Sequence, residues 1–386
     1  MTLKELHLLN YKNIPEAHLH FADRLNGLVG LNGQGKTNVL DAIYLLSFAK
    51  SAFSLQDRDC IRHGEQMAMV QGVYDKDGET VTITCGLRQG GKKQFRRGDK
   101  PYQRLSDHIG LLPLVLISPQ DIGIVLDGSD VRRKFMDGTI AQYDPTYLPA
   151  LNNYSQLVQQ RNALLKQLAD KDGNADNSSY GEMLSVYEQQ MLPPAQQIYE
   201  ARRLFIDHFV PFFADTYAIL SDGNEVVRLT YQSQLAERQL PDAWEQTRQR
   251  DIILGWTSVG CHKDDLLFSI GDYAIKQVAS QGQIKTCLLA LRLAQALFLS
   301  DRIKQPPILL LDDIFDRLDS RRVKQLVEMV TSERIELPAA QVCLEKPFSQ
   351  IFLTDTDRHH IHRQDTSFAA MKTFVVSDGT INEDNE

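Results

Sequence analysis

Three short stretches carry residue types and spacings suited to phosphate chemistry: GLNGQGKT at 30–37, ASQGQIK at 279–285 and LLLDD at 309–313. The first fits G-x-x-x-x-G-K-[ST], in which glycines let backbone N–H groups close around the β- and γ-phosphates of a nucleotide while the lysine adds charge. Gly30, Leu31, Asn32, Gly33, Gln34, Gly35, Lys36, Thr37 and the following Asn38 are therefore the candidate nucleotide-binding residues, with the Thr37 hydroxyl placed to ligate Mg²⁺. A glycine turn with a merely solvated lysine is the plainer alternative, but it does not explain an apolar strand before the loop and a helical apolar period after it.

A nucleotide site also needs a carboxylate at the end of a neighbouring strand. Asp312 would hold the Mg²⁺ through water, and Asp313 would orient or deprotonate the attacking water. The competing reading is that these acids cap the next helix, since aspartate is a favoured N-cap. In ASQGQIK a serine, free amides and the positive end of a helix dipole would face a phosphate. One chain's P-loop already serves its own γ-phosphate. Ser280, Gln281, Gly282 and Gln283 are thus expected to serve the ATP of another molecule.

The elements that must position these loops can be read from periodicity. LKELHLLNYKNI and AHLHFADRLNGLVG read as short strands, the second feeding the loop at Gly30. Val39, Leu40, Ile43 and Leu46 recur at helical spacing after Lys36. From about 68 to 105, turn signals between β-branched runs predict an antiparallel meander, with LLPLVLISPQDI (111–122) as a buried strand closing it. Two long polar-faced helical segments follow, broken at 171–179, with Pro193 and Pro194 expected to kink or interrupt the second. Strand signals return at VVRLTY (226–231), DLLFSI (265–270) and PPILLLDDI (306–314), the last a run of the kind buried on both sheet faces.

Composition is that of an ordinary globular chain: 386 residues, 42% hydrophobic, net charge −8. No window approaches the roughly 18 apolar residues of a membrane span, and the first residues lack a secretory apolar run, so a cytoplasmic protein without a membrane partner is expected. Five scattered cysteines without C-x-x-C spacing suggest neither a disulfide framework nor a zinc site. The run DRHHIHR (357–363) reads as a surface helix rather than a metal site.

Taken in order, the loop at 30–37, SQGQ at 280–283, LLLDD at 309–313 and FDRLD at 315–319 resemble the ABC-type ATPase head of SMC-like proteins. NYKN near the start, SPQDIGIVLDGSDVRRKFMD, QRNALLK, GCHKDDL and IFLTDTDR extend the resemblance to the RecF family across nearly the whole chain. It implies an α/β fold, an ABC-type P-loop ATPase head of mixed sheets and flanking helices, with an inserted helical arm. Residues 1–124 and 219–386 would form the head and 125–218 the arm. It further implies that Lys12 and Asn13 lie near the nucleotide, that Gln120 contacts Mg²⁺ and water with Lys36 and Asp313 as catalytic partners, that Asp319 lies in the loop between two sites, and that Thr354 and Asp355 occupy the switch position. Departures from the family pattern are Cys261 in GCHKDDL, where proline is usual, and the long stretch 331–347. Asp313 agrees with the family, and its short reach predicts slow hydrolysis.

The implied function is an ATP-dependent, head-to-tail homodimer that clamps single- and double-stranded DNA at gaps or junctions without reading sequence. A weak, DNA-stimulated ATPase would release it. The implied partners are RecR, RecO and the RecA pathway, with a link to the SOS response. Lys92, Lys93, Arg96, Arg97 and Lys100, with Phe95 among them, form a basic hairpin able to neutralise phosphates, although such runs are also common as solvated surface. Two other readings compete: an ATPase subunit driving a membrane transporter, and a small-molecule P-loop kinase, which would leave ASQGQIK without a role.

Overall fold

Alternation of apolar and polar residues, interrupted by a bulge between Leu3 and Glu5, folds as two antiparallel strands, β1 (Thr2–Tyr11) and β2 (Ile14–His20), with Leu6, Leu8 and Leu19 facing the core. The computed structural model describes residues 1–169, 178–223, 225–314, 319–356 and 371–384. Strand β3 (Leu25–Val29) is buried at every position and leads through the glycine-rich loop into helix α1 (Lys36–Phe48). The predicted meander follows as β4 (Met67–Lys76), β5 (Glu79–Arg88), β6 (Gln94–Arg97) and β7 (Lys100–Pro101). With the first two strands it makes one antiparallel sheet in the order β2-β1-β4-β5-β6-β7.

Strand β8 (Leu114–Ile117) does not close that meander. It pairs in parallel with β12 (Ile308–Leu311) in a second sheet that also holds β15 (Gln350–Asp355), β16 (Lys372–Ser377) and β17 (Thr380–Glu383), in the order β17-β16-β3-β15-β12-β8. A run of four consecutively buried apolar residues needs cover on both faces, which a central parallel sheet supplies and a half-exposed meander does not.

Contacts between residues divide the chain into two compact units, 1–122 with 211–226 and 279–386, and 123–210 with 227–278. The partition read from sequence, an arm at 125–218, differs because VVRLTY and DLLFSI do not return to the head. They pair with each other as β9 (Val227–Gln232) and β10 (Asp265–Ile270), extended by β11 (Tyr273–Ala274), in a small antiparallel sheet of the second unit. The same unit holds α2 (Gly123–Leu126), α3 (Ser129–Ile140), α4 (Tyr147–Ala169), α6 (Leu240–Leu254) and α7 (Ile275–Val278). Helix α5 (Ser178–Ser221) runs unbroken through Pro193 and Pro194. Its Met191, Ala195 and Ile198 are fully buried, and tertiary burial of a helix face outweighs the amide donors that the prolines withhold.

Two buried arginines organise the second unit. Arg161, with no exposed surface, donates to Asp251 at 2.8 Å, Thr257 at 2.9 Å and Glu188 at 2.9 Å. Arg202 donates to Asp264 at 2.8 Å, to the Cys261 carbonyl at 2.6 Å and to Asp137 at 3.0 Å. The GCHKDDL loop is thus held by Arg202 on both sides of His262, which is itself half-buried and hydrogen-bonded to Tyr154 and the Thr257 carbonyl. Burial lowers the His262 imidazole to about 4, so it is neutral in the folded chain at pH 7.

The rest of the first unit is α8 (Gln281–Ile303), α9 (Ser320–Thr331), β13 (Arg334–Leu337), β14 (Val342–Glu345), β15 (Gln350–Asp355), β16 (Lys372–Ser377) and β17 (Thr380–Glu383). The long 331–347 stretch is a β-hairpin of β13 and β14, and its turn is fixed where the backbone amides of Ala339 and Ala340 donate to Asp215 at 3.1 and 3.0 Å. Both DRHHIHR and the first four residues of FDRLD lie outside the described residues.

Breaking a buried ion network by removing one partner strands the others without compensation, at a cost of about 3–5 kcal/mol. Arg161→Met should therefore lower the denaturant midpoint of unfolding strongly, whereas Arg203→Met, on the exposed face of α5, should leave it nearly unchanged. Equal shifts for the two would show that the Glu188–Arg161–Asp251 network does not organise the unit.

Candidate functional site

Strands β3, β8, β12 and β15 run parallel, so their carboxyl ends open at one edge of the sheet. In open α/β sheets this is the edge where ligands bind. GLNGQGKT follows β3, Asp312 and Asp313 follow β12, Thr354 and Asp355 end β15, and Gln120 lies in the turn after β8. Four stretches far apart in sequence meet there because of strand direction.

The loop itself depends on glycine. Gly35 caps α1 with φ 119°, and a Cβ there would meet Asn13 Oδ1 at 2.8 Å; a Cβ on Gly30 would meet the Val376 carbonyl oxygen at 2.2 Å. Asn13 is built into the loop: its Nδ2 donates to the Gln34 carbonyl at 2.9 Å, and Asn38 Nδ2 donates to its Oδ1 at 2.7 Å. The amide of Gly379, in the turn before β17, donates to the Gln34 carbonyl at 3.0 Å, and that of Asp378 to the Gln34 side chain. Lys36 is buried and turns its ammonium onto the Gly30 and Leu31 carbonyls at 2.5 and 3.0 Å.

The acids sit opposite. Thr37 Oγ1 donates to Asp312 Oδ1 at 2.9 Å, and Thr354 Oγ1 donates to the same oxygen at 3.0 Å. Thr354 Oγ1 also accepts the Asp313 amide at 2.9 Å, and Asp313 adopts φ 49°, a left-handed conformation that aspartate tolerates better than most residues. Burial raises the Asp312 carboxyl above its ordinary value, while the two hydroxyl donors pull it down. Neither acid caps the next helix; Asp319 does so, its side chain accepting from the Arg322 amide at 3.0 Å, which holds its own carboxyl below the usual range. One cleft is lined by Asn32, Gly33, Gly35, Lys36, Thr37, Asn38, Asp313 and Thr354. Gln120 is exposed and is not among these residues.

Ser280 N-caps α8 in a reciprocal capping box: its Oγ accepts from the Gln283 amide at 3.2 Å, and its amide donates to Gln283 Oε1 at 2.6 Å. Gln283 Nε2 donates to Glu225 at 2.7 Å, and a Cβ on Gly282 would lie 3.2 Å from Arg322, which pairs with Asp319. SQGQ and Asp319 are thus brought together, but apart from the lining of the P-loop cleft. Arg321, Arg322, Asp222 and Glu225 line a separate charged cleft with Asp319.

Sequence reasoning missed Asp41. Fully buried on α1, it accepts from Tyr11 at 2.7 Å, Ser51 at 2.7 Å and the Ala52 amide at 2.7 Å, and its carboxylate lies 2.6 Å from Lys12 Nζ. The signal was an acid between Leu40 and Ala42 on the apolar face of an otherwise regular helix. In the basic hairpin, Lys92, Arg96, Arg97 and Lys100 are exposed, whereas Lys93 pairs with Asp57 at 2.8 Å. Phe95 is buried against Tyr102 and His108 and is not available for base stacking.

The family model described as RecF/RecN/SMC N terminal domain matches residues 2–351. The chain is 43% identical over 389 residues to the DNA replication and repair protein RecF of Phocaeicola vulgatus, covering 100% of this chain and 99% of that protein. The chain belongs to the RecF family. A second RecF, from Parabacteroides distasonis, is 44% identical over 361 residues, covering 94% of this chain and 93% of that one. In fold, the chain matches the recombination mediator protein RecF with ATP, of the RecFOR pathway, at a TM-score of 0.84 and 24% identity, covering 99% and 97% of the two chains. A more distant likeness, TM-score 0.55 at 18% identity over 99% and 96%, is to the Smc head domain of Pyrococcus furiosus bound to the C-terminal domain of ScpA. With the family model over residues 2–351, these likenesses give the chain the fold of an SMC-type head domain.

The raised Asp312 carboxyl has a consequence for stability. As pH rises, an unfolded aspartate loses its proton first, so the ionised, buried Asp312 lowers folded-state stability at neutral pH. Asp312→Asn, which keeps an oxygen for the Thr37 and Thr354 hydroxyls, should melt at or above the wild-type temperature at pH 7 without nucleotide or divalent ions. A markedly lower melting temperature would mean that the charge is compensated by its surroundings.

Proposed function

We propose that this chain is an ATP-dependent DNA-binding switch of replication and recombinational repair. ATP and Mg²⁺ occupy the P-loop cleft, and two chains close head to tail so that Ser280, Gln281, Gly282 and Gln283 of one reach the nucleotide of the other. The observation that carries the reading is that the cleft formed by Lys36, Thr37, Asp313 and Thr354 and the exposed helix start at Ser280 are two separate sites on one chain. Each is half of a nucleotide site.

The residues suit their roles. The loop amides and Lys36 bind the phosphates, with Lys12 and Asn13 bracing the loop from the β1–β2 turn. Thr37 and Asp312 are hard oxygen donors 2.9 Å apart, the donor type Mg²⁺ takes, and a cation between them would favour the ionised form that burial opposes. Mg²⁺, when bound, neutralises phosphate charge. Asp313 orients the attacking water, Gln120 approaches from the adjacent strand end, Thr354 and Asp355 hold the switch position, and Asp319 lies between the paired sites. Hydrolysis is slow and stimulated by DNA, and it reopens the dimer.

Lys92, Arg96, Arg97 and Lys100 offer exposed cations for DNA backbone contacts at gaps or junctions. The assignment of a solved relative to the RecFOR pathway supports a place beside RecR and RecO, and the proposed role extends from there to delivering RecA and to the SOS response. A transport subunit is less well supported, because the relatives are DNA replication and repair proteins.

Sedimentation with and without ATP and Mg²⁺ tests the shared site. Wild type should pass from monomer to dimer, Lys36→Ala should bind ATP at least about 10-fold more weakly through loss of charge-assisted contacts, and Ser280→Arg should bind ATP yet stay monomeric. A Ser280→Arg chain that dimerises like wild type would refute the shared site. For the hairpin, Arg96→Ala/Arg97→Ala should weaken DNA binding and reduce the slope of log affinity against log salt by about 2. An unchanged slope would remove the hairpin from the DNA path.

A further inference from the structure

Two short patterns, E-L-H at 5–7 and H-L-H at 18–20, are not used by the nucleotide site. On paired strands a period of two sends both outer residues of each pattern to one face. Here Leu6 and Leu19 enter the core, while Glu5, His7, His18 and His20 are partly or largely exposed. The register sets Glu5 opposite His20 and His7 opposite His18, so the four side chains stand at the corners of a grid.

Their polar atoms converge. Glu5 Oε2 lies 3.2 Å from His7 Nε2 and 3.4 Å from His18 Nε2, and Glu5 Oε1 lies 3.7 Å from His20 Nδ1. The His7 and His18 rings stack with centroids 3.7 Å apart, and His20 follows at 4.4 Å from His18. One ligand atom each from Glu5, His18 and His20 falls within a mutual 4.8 Å. Two donors on one tetrahedral ion with bonds of about 2.1 Å sit about 3.4 Å apart. The carboxylate-to-imidazole distances already approximate that value on a rigid, hydrogen-bonded strand pair.

We propose that Glu5, His7, His18 and His20 form a binding site for a divalent first-row transition ion, with Zn²⁺ as the reference ion. Imidazole nitrogens with one carboxylate favour zinc, cobalt, nickel or copper over magnesium and calcium, which take oxygen donors. The site is distinct from the nucleotide cleft: the grid lies at one end of the β1–β2 ribbon, and Lys12 and Asn13 form the turn at the other. Strand β2 is the edge of its sheet, so a bound ion would staple that edge to β1 and stiffen the ribbon whose turn braces the P-loop.

The test uses the full chain stripped of metal with chelator and then titrated with ZnCl₂ by calorimetry and with CoCl₂ by visible absorption. Expected are one zinc per chain and the intense cobalt bands of a four-coordinate site. His18→Ala/His20→Ala should weaken zinc at least about 10-fold and abolish the bands, and Glu5→Gln should weaken both. Binding should persist in Asp312→Asn, which removes the other candidate cation ligand, and when His359, His360 and His362 are all replaced by alanine. Should the double alanine variant misfold, His18→Gln/His20→Gln keeps the face polar and carries the same expectation. No zinc on the wild-type chain, equal affinity in the grid variants, or loss only with the 359–362 replacements would overturn the proposal.

Discussion

Parallel pairing between the two ends of the chain is the constraint on which the site depends. Strand β3 lies between β15 and β16, and Gln350 ties β15 to the neighbouring sheet by accepting from the Leu3 amide of β1 and donating to the Leu3 carbonyl across 347 positions. Closure entropy grows only logarithmically with loop length, so the long excursion between these strands costs little more than a short one would. That leaves room for a second unit within the chain, with its own sheet and its own buried arginine networks. The edge where the parallel strands end then collects the polar residues from both halves.

At that edge the structure accepts local costs that a purely structural sheet would avoid. Asp312 is buried with a shifted carboxyl, Asp313 holds a left-handed backbone, and Gly30 and Gly35 occupy positions where a side chain would collide with neighbours. Strain and buried charge of this kind cluster where a site needs fixed geometry. They are over-determined here by surrounding bonds: Thr354 ties both acids together, and the turn before β17 and Asn13 hold the P-loop from two sides. Asp41 does the same for the base of α1, where it gathers Tyr11, Lys12 and Ser51.

The chemistry was more legible in the sequence than the pairing. GLNGQGKT and LLLDD declare themselves because phosphate binding needs those residue types at fixed spacing, and the period-two pattern of β1 and β2 needs no partner to be read. Which strand pairs with which is a long-range property. LLPLVLI was legible as a strand but not as a neighbour of β12, although its unbroken apolar run was the available hint of a parallel sheet. VVRLTY and DLLFSI were legible as strands but not as each other's partners, which moved the unit boundary. Pro193 and Pro194 signal a break by local propensity alone, and the burial of Met191, Ala195 and Ile198 that keeps the helix whole is a tertiary property. Asp41 was hidden because an acid within an apolar helix has meaning only through partners brought by β1 and the loop after α1.

Why one chain should carry two phosphate-type loops has a physical answer under the shared-site reading. A ligand shifts an equilibrium only by its differential affinity for the two states, so ATP can drive association only if the paired state gives it contacts that the single chain lacks. The P-loop cleft alone would bind nucleotide without favouring either state. On that reading the helix start at Ser280 would supply the difference, and it is already ordered: the capping box and the Gln283 bond to Glu225 fix its backbone. A preformed loop loses little entropy on closing, so more of the γ-phosphate contact remains to favour the dimer. Arg322, which pairs with Asp319 at the start of α9, lies beside Gly282 of that loop, and α9 follows the strand and acids of the same chain's cleft in sequence. On the shared-site reading, occupancy of one site would lie within a few side chains of the group that completes the other, the arrangement expected of a switch rather than of an independent binding pocket.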